Sequence, residues 1–465
     1  MRRLSNELVL VLAMVLAAVA WTSQQWSAFA AHAPQWGHDL AFFNQIFWSA
    51  AHGGQWASPL LLEPQGFFEM VHFHPVFALL VPLYWLWPDP RTLQLFNVLA
   101  VVGAAWPLSR LGKAASGHAG FGLCAGLAWL AWVPVQSAAL ADFRPMIFFV
   151  PGFVVLLWGA WTGRWVPLVL GALLICITRE ESGYLLVFCG LVLSARPMGQ
   201  GTRRQGAVVL GVGVCWFLLL LAIKGNLFFH FDPRTYTAGA TASVPEELVG
   251  ARLGYGLRVL LSGYGLALLS PISLVLAGPP TAFLVLDSFR EWHSVTGPYV
   301  HLRSASLALI ACGGTLGAAW LCRRDARLPW LVGALLVVAN LGAFWGDRQR
   351  LRAIHAGHVE VLSSSQWQAR EALLQQVAPG DAVGTDYTLI ARLSGRELLW
   401  NTIHLYMKGE QARHWTEPWP ITADDLDVLV VTPEDPVLQH LGPEWERTDA
   451  GGGYELWQQR KPSSP

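Results

Sequence analysis

Charged residues are scarce in this sequence. Asp, Glu, Lys and Arg make up 13% of its 465 residues, whereas they make up about a quarter of a typical soluble domain. Hydrophobic residues make up 54%, and the mean hydropathy is +0.40. This composition excludes a wholly soluble protein and predicts a polytopic membrane protein, in which the 24 Trp residues suit the membrane interfaces.

The sequence also lacks an excess of charge of either sign. Its formal net charge is zero, so no basic field marks it as a nucleic-acid-binding protein, and we expect no nucleic-acid partner. Cysteine is rare as well, and no pair has metal-ligand spacing. We interpret the six as packing residues because they lie in or beside apolar runs: Cys124, Cys176, Cys189, Cys215, Cys312 and Cys322.

Apolar runs predict about ten membrane spans. The first, Leu8 to Trp21, follows Arg2 and Arg3, which favour a cytoplasmic N-terminus; a cleaved signal peptide ending near Ala28-Phe29-Ala30 is the alternative. The further predicted spans are about 92–109, 118–135, 146–161, 165–178, 183–195, 206–223, 256–277, 301–321 and 328–345.

Charge alternates between the connections of these spans. Short basic loops predict the cytoplasmic side: Arg110 to Lys113, Thr162 to Arg164, Arg196 to Arg204 and Cys322 to Arg327. Acids and histidines occupy the other side. There a first outside loop, about 22–91, contains an aromatic helix ending near Trp48 and the apolar piece His74 to Trp87, which we interpret as interfacial or re-entrant. Pro279 to Leu286 is predicted to be a returning half-helix.

The composition changes after Trp345. Residues 1–346 form the predicted transmembrane domain, and 347–465 form a predicted extramembrane α/β domain on the outside. Its predicted helix is Ser365 to Val377, and its predicted strands are Asp381 to Thr385, Glu397 to Trp400, Asp427 to Thr432 and Tyr454 to Gln458. This region has no Gly-rich phosphate loop and no triad spacing, so we assign it no chemistry.

Several polar residues of the predicted outer side are candidates for chemistry. Asp39 stands at the head of the aromatic helix, where it either caps the helix or acts as a base. Glu180 and Glu181 end an apolar span beside Arg179, either as a catalytic acid or as members of an interfacial ion pair. The sequence allows three roles for His72 and His74: they flank the apolar piece, they contact substrate, or they help to bind a divalent metal.

The remaining candidates are cations and one acid. Asp142 and Arg144 form either a structural pair or a phosphate-binding element, because Arg suits bidentate contact with phosphate. Lys224, His301 and Arg303 either bind substrate or lie at the interface as ordinary flanking residues.

The order of the motifs identifies a family. Asp39 to Trp48, His72-Phe73-His74-Pro75, Asp142-Phe143-Arg144-Pro145, Thr178-Arg179-Glu180-Glu181 and Tyr299-Val300-His301 resemble the bacterial multi-spanning family named domain of unknown function 2079. The resemblance extends over nearly the whole chain. The sequence departs from the family pattern at Ala41, where Gly is usual, and at Arg144, where His is common.

The resemblance implies a function. The family is similar in layout to GT-C membrane glycosyltransferases, which use polyprenyl-phosphate sugar donors and place an essential acid in the first outside loop. The resemblance favours Asp39 as the base, and it predicts transfer of a sugar to an acceptor at the outer face of the cytoplasmic membrane. A transporter or flippase, and a non-catalytic membrane assembly protein, are the alternatives. The expected partners are membrane lipid and a polyprenyl-phosphate-linked sugar.

Overall fold

The computed structural model of the chain is mainly α-helical. It describes residues 5–31, 37–54, 56, 58–60, 73–180, 182–224, 254, 257–258, 261–286, 304–323, 328–343, 345–346, 349, 364–406 and 422–460. The helices are α1 Asn6–Ala30, α2 Gly37–Ala51, α3 Val76–Tyr84, α4 Pro90–Gly103, α5 Ala105–Ser116, α6 Ala119–Ala131, α7 Val133–Leu140, α8 Phe149–Thr162, α9 Trp165–Thr178, α10 Ser182–Ala195, α11 Arg203–Lys224, α12 Pro271–Leu286, α13 Ser304–Cys322, α14 Leu328–Gly342, α15 Ser364–Leu374 and α16 Ile403–Tyr406.

The chain divides into two compact units. The first unit contains Met1–Gln24, Val71–Phe77 and Leu95–Ile354. The second unit contains Gln25–Met70, Ala78–Gln94 and His355–Pro465. The second unit therefore groups most of the predicted first outside loop with the C-terminal region, although these segments are far apart in sequence.

Within the described residues, five helices are long and apolar enough to cross a membrane. They are Asn6–Ala30, Pro90–Ser116, Pro145–Thr162, Arg203–Ile223 and Ser304–Cys322. The pair α6 and α7 makes a sixth if it is one span bent by 54°. Three shorter apolar helices, α9, α10 and α14, correspond to predicted spans. The predicted fold class, a polytopic helical protein with a small C-terminal sheet region, is confirmed.

The bend between α6 and α7 has a cause in the sequence. Trp132 connects the two helices with extended backbone angles, φ −77° and ψ 120°. Pro134 follows in the first turn of α7 and lacks the N–H that would bond the carbonyl of Leu130 in a continuous helix. The large side chain of Trp132 is fully buried in the core of the first unit, where it packs edge-on against Tyr264 at 4.8 Å between ring centroids.

Two predicted boundaries were wrong. The basic stretch with Arg110 and Lys113 is not a loop but lies inside α5, which ends at Ser116 and is followed by the C-cap residue Gly117 with φ +82°. The predicted span 256–277 is interrupted, because a 3₁₀ segment Gly263–Leu269 is followed by an extended Ser270. Pro271 begins α12 at the first helical position, where the missing N–H costs nothing. The predicted half-helix after Pro279 is the second half of this helix.

Helix α3 agrees with the interfacial or re-entrant interpretation. Its nine residues extend only about 14 Å at the rise of an α-helix, which is roughly half of a bilayer core. Pro82 lies in its last turn. Helix α3 is therefore too short to span a membrane.

The second unit contains a five-stranded sheet. Its strands are β1 Val383–Thr385, β2 Leu399–Asn401, β3 Val428–Val431, β4 Trp445–Gly451 and β5 Tyr454–Gln459, in the order β2-β1-β3-β5-β4. Strand β1 is parallel to β2 and β3, whereas β5 is antiparallel to β3 and β4. Strand β4 was missed by the sequence prediction because most of its residues are polar and exposed, although Gly452 and Gly453, both with positive φ, mark its hairpin turn.

Close packing of α10 against α11 depends on small residues. A Cβ atom at Gly190 would overlap the backbone of Leu210, and one at Gly206 would overlap that of Ser194. Such glycines allow two helix backbones to approach closely, and the resulting van der Waals contact is one of the forces that drive helix association in lipid.

Replacement of Gly190 by Ala is therefore expected to destabilise the protein. Overpacking of this kind costs about 1–3 kcal/mol, and the measurement is the unfolding temperature in detergent. Gly211→Ala is the matched control, since Gly211 lies on α11 with no atom within 4 Å of an added Cβ. Equal unfolding temperatures for the two variants would contradict the packing argument.

Candidate functional site

A break between α9 and α10 is the centre of the candidate site in the first unit. Helix α9 ends at Thr178, Arg179 is extended with φ −162° and ψ 158°, and α10 begins at Ser182. The last carbonyls of a helix have no partner within the helix, and in apolar surroundings they need another donor. Ser182 supplies one such donor, because its hydroxyl donates to the carbonyl of Cys176 at 3.1 Å.

The segment Phe73–His74 supplies further partners to this break. The Nδ1 atom of His74 lies 2.8 Å from the carbonyl oxygen of Thr178. The backbone N–H of Phe73 donates to Oε2 of Glu180 at 2.7 Å. Both His74 and Glu180 are buried, with 4% and 7% of their surface exposed. Two motifs separated by about a hundred residues in sequence are thus joined by two buried hydrogen bonds.

The bond to Thr178 determines the protonation of one histidine nitrogen. A carbonyl oxygen only accepts hydrogen bonds, so Nδ1 of His74 carries the proton. In the neutral imidazole, Nε2 then carries the lone pair, and it gains a proton when the ring becomes charged. His74 can therefore act as an acceptor or a donor through Nε2.

Charge at the break follows the helix dipoles. Glu180 lies just before the N-terminus of α10, where negative charge is favoured, and Arg179 follows the C-terminus of α9, where positive charge is favoured. Nε of Arg179 lies 3.9 Å from Oε1 of Glu180, a long ion pair. The same guanidinium donates through Nη1 to the sulfur of Met146 at 2.9 Å.

The Asp142–Arg144 motif occupies a second break, after α7. Asp142 is buried, and Arg144 is extended ahead of the 3₁₀ segment Pro145–Phe148. Asn97 of α4 holds this turn, because its Nδ2 group lies within hydrogen-bond distance of the carbonyls of Ala138, Ala139 and Ala141, at 2.9, 3.2 and 3.4 Å.

Two of the sequence motifs therefore meet in the first unit, and a third lies beside them. Glu180 joins the Thr178–Glu180 motif to Phe73–His74. Arg179 contacts Met146 in the 3₁₀ segment that directly follows the Asp142–Arg144 motif. The set comprises an imidazole, buried carboxylates and guanidinium groups. These groups can bind an oxyanion and exchange protons with a bound substrate.

Asp39 belongs to the second unit. It is the third residue of α2, in the first helical turn, and its side chain is half-buried beside the fully buried Leu40 and Ala41. Because α2 begins at Gly37, Asp39 lies inside the helix and beyond the N-cap position. The helix dipole there favours the ionised carboxylate, which is the form that a base requires.

Some predicted site residues lie outside the described residues. These are His72, Glu181, His301, Arg303 and the side chain of Lys224. Their roles stay predictions, as does the metal site that would include His72. Among the residues that the structure describes, no three His, Cys, Asp or Glu side chains are grouped so that they could hold a metal ion.

Sequence reasoning missed the residues that support the motifs. Asn97 is one: an amide within an apolar span is costly unless it is bonded, and that cost was the available signal. Met146 and the backbone groups of Phe73 and Thr178 carried no comparable signal, because only the fold brings them to the site.

Glu180→Ala is expected to loosen the Phe73–His74 segment. A hydrogen bond to a charged group contributes about 1.5–3 kcal/mol, so amide exchange in residues 73–77 should accelerate roughly ten- to hundredfold. The measurement is hydrogen–deuterium exchange of the purified protein. Glu7→Ala is the control, because Glu7 forms an exposed pair with Arg110. Unchanged exchange in residues 73–77 would show that Glu180 does not hold this segment.

Comparison with solved structures finds a similar fold over almost the whole chain. ArnT from Cupriavidus metallidurans, in a crystal structure bound to undecaprenyl phosphate, superposes with a TM-score of 0.53. The alignment covers 96% of this chain and 97% of ArnT, at 14% sequence identity. ArnT is a GT-C glycosyltransferase, so the chain has a GT-C-like polytopic membrane fold. No curated protein matches the chain.

A family model matches the part of the chain that contains most of the sequence motifs. The model of a predicted membrane protein family, DUF2079, matches residues 36–229. This stretch contains the Asp39, His74, Asp142 and Glu180 motifs, whereas Tyr299-Val300-His301 lies beyond it. The chain is a multi-pass membrane protein with a fold similar to that of GT-C enzymes, and its predicted resemblance to the DUF2079 family of predicted membrane proteins is confirmed.

Proposed function

We propose that this protein is a membrane glycosyltransferase. It moves a sugar from a polyprenyl-phosphate donor to an acceptor hydroxyl at the outer face of the cytoplasmic membrane, with Asp39 as the base. The observation that carries the proposal is the shared fold with ArnT over 96% of the chain. That neighbour was crystallised with undecaprenyl phosphate, a lipid phosphate of the class proposed here.

The cations of the first unit suit the donor phosphate. Arg144 and Arg179 are adjacent to the two helix breaks, and a guanidinium can donate two parallel hydrogen bonds to a phosphate. Lys224, His301 and Arg303 are further candidates for the same role. Glu180 keeps Phe73–His74 in place, and Glu181 is the second candidate acid.

The chemistry needs few protein groups. The bond between the anomeric carbon and the phosphate oxygen breaks, and polyprenyl phosphate leaves with both bonding electrons. The acceptor oxygen forms the new bond to the same carbon and gives up its proton to Asp39. The cations stabilise the charge that develops on the leaving phosphate, and the carboxylate stabilises the positive charge that develops on the sugar ring.

The basic residues support the proposed membrane orientation. Lys113 lies in the last turn of α5, Arg164 directly precedes α9, and Arg203 begins α11. Their positive charge favours the cytoplasmic side. The Asp39, Asp142 and Glu180 motifs then occupy the outer side, where a polyprenyl-phosphate donor delivers its sugar.

Asp39→Asn is expected to abolish transfer without loss of folded protein. The amide has the shape of the carboxylate but cannot accept the acceptor's proton, and loss of a general base lowers rates about 10²–10⁴-fold. The measurement is transfer of radiolabel from a panel of polyprenyl-phosphate-linked sugars to membrane acceptors. Glu446→Gln is the control, since Glu446 is an exposed acid paired with Arg460. Full activity of Asp39→Asn would refute the assignment of the base.

Arg179→Gln is expected to weaken binding of the lipid phosphate. Loss of a charge-assisted hydrogen bond corresponds to about 1.5–3 kcal/mol, or a roughly ten- to hundredfold rise in Kd for undecaprenyl phosphate. Native mass spectrometry or fluorescence titration in detergent measures it. Arg460→Gln, which removes an exposed cation of the second unit, is expected to bind as the wild type does. Equal affinities of the two variants would remove Arg179 from the phosphate site.

A further inference from the structure

Two adjacent amide residues of α2 are buried and have no part in the chemistry proposed above. Asn44 and Gln45 expose 0% and 1% of their surface. Burial of an amide costs about 2–7 kcal/mol unless hydrogen bonds replace those with water. Their partners therefore determine how α2 is held.

Asn44 lies between a tyrosine and a serine. The hydroxyl of Tyr84 donates to Oδ1 of Asn44 at 2.8 Å. Nδ2 of Asn44 donates to Oγ of Ser394 at 3.0 Å, and that hydroxyl donates onward to the carbonyl of Ala391 at 2.7 Å. The serine proton is used on Ala391, so Ser394 acts as an acceptor for Asn44, and the directions of all three bonds are consistent.

Gln45 is bonded on both sides in the same manner. Ser58 donates its hydroxyl proton to Oε1 at 2.6 Å, and Nε2 lies 3.4 Å from the carbonyl oxygen of Arg396. Arg396 is itself held, because its side chain donates to the carbonyls of Leu393 and Ala378 at 2.8 and 3.0 Å. The segment 393–396 that contacts α2 thus has its own hydrogen bonds within the second unit.

The two amides lie on the side of α2 that is opposite Asp39. At 100° per residue, Asn44 is about 140° and Gln45 about 240° around the helix axis from Asp39. Bonds at these two positions determine the rotation of the helix about its axis. The same rotation determines where the Asp39 carboxylate points.

We propose that Ser394 and the backbone carbonyl of Arg396 are positioning groups for Asp39, acting through Asn44 and Gln45. Their effect on catalysis rests on the proposed function, whereas their hold on α2 does not. The C-terminal region, for which sequence analysis predicts no chemistry, then orients the base through contacts on the opposite side of α2. A displacement of about 1 Å at a reacting group is enough to cost about a hundredfold in rate.

The experiment compares Ser394→Ala, Tyr84→Phe and Ser394→Thr in the full-length protein. Ser394→Ala leaves the Nδ2 group of Asn44 without its acceptor, and Tyr84→Phe leaves Oδ1 without its donor. Both variants are expected to raise amide exchange in residues 37–51 about tenfold and to lower kcat about 10- to 100-fold, with the KM for the lipid donor unchanged. Ser394→Thr keeps the hydroxyl and should restore both values.

Gln376→Ala is the matched control. Gln376, in the turn after α15, also donates a side-chain hydrogen bond in the second unit, but its acceptor is the exposed Asp449 of β4 rather than a residue of α2. It should leave exchange in residues 37–51 and kcat at wild-type values, and exchange in β1 and β3 should be unchanged in every variant, which shows that the sheet is folded.

The outcomes separate the two proposals. Unchanged exchange in residues 37–51 of Ser394→Ala and Tyr84→Phe would overturn the hold on α2. Faster exchange with an unchanged kcat would overturn the link to Asp39. Absence of transfer by the wild-type protein would overturn the proposed function, while faster exchange would still support the hold on α2.

Discussion

The need to satisfy backbone polar groups at the interruption between α9 and α10 governs the first unit. Thr178 ends a helix amid apolar surroundings, and its carbonyl accepts a hydrogen bond from His74. The N–H of Phe73 finds the carboxylate of Glu180. In such surroundings each unsatisfied group costs several kcal/mol, so these partners are structural requirements before they are functional ones. The polar side chains of the candidate site lie together because the backbone groups at a helix break need hydrogen-bond partners from outside the helix.

Buried polar groups also need hydrogen-bond partners in the second unit, where they are side-chain amides rather than backbone groups. Asn44 and Gln45 are buried on a helix that carries mainly apolar and aromatic residues, and their side-chain hydrogen bonds join them to Ser58, Tyr84, Ser394 and Arg396, which all lie outside that helix. Arg392, which lies over the ring of Phe29 and pairs with Glu371, adds another contact between the C-terminal region and the start of the chain. The C-terminal region is consequently part of the structure that holds Asp39, rather than an appended module.

Patterns of hydrophobicity predicted most elements of this fold. The spans 165–178 and 183–195 agree with α9 and α10 almost to the residue, because uniform apolar runs end at charged residues there. Failures have local physical causes: Arg110 and Lys113 are good helix formers and do not end α5, and the polar β4 has no apolar alternation to reveal it. Among the site residues, Asp39, His74, Asp142 and Glu180 were candidates from sequence, whereas Asn97 and Ser394 were not, since their roles depend on carbonyl and amide groups far away in the chain.

The sequence by itself determined that this is a multi-pass helical membrane protein with a small C-terminal sheet. The length of an apolar run and its lack of charge are local properties, and they decide whether a segment is stable in a bilayer. The sequence also determined which ionisable residues are worth considering, because each is expensive where it stands. Only the tertiary structure decided which of them share a neighbourhood: Glu180 with Phe73, Arg179 with Met146, and Asn44 with Ser394. These contacts join residues 33 to 350 positions apart, and no local pattern specifies a pairing over such a distance, because it depends on how the helices pack.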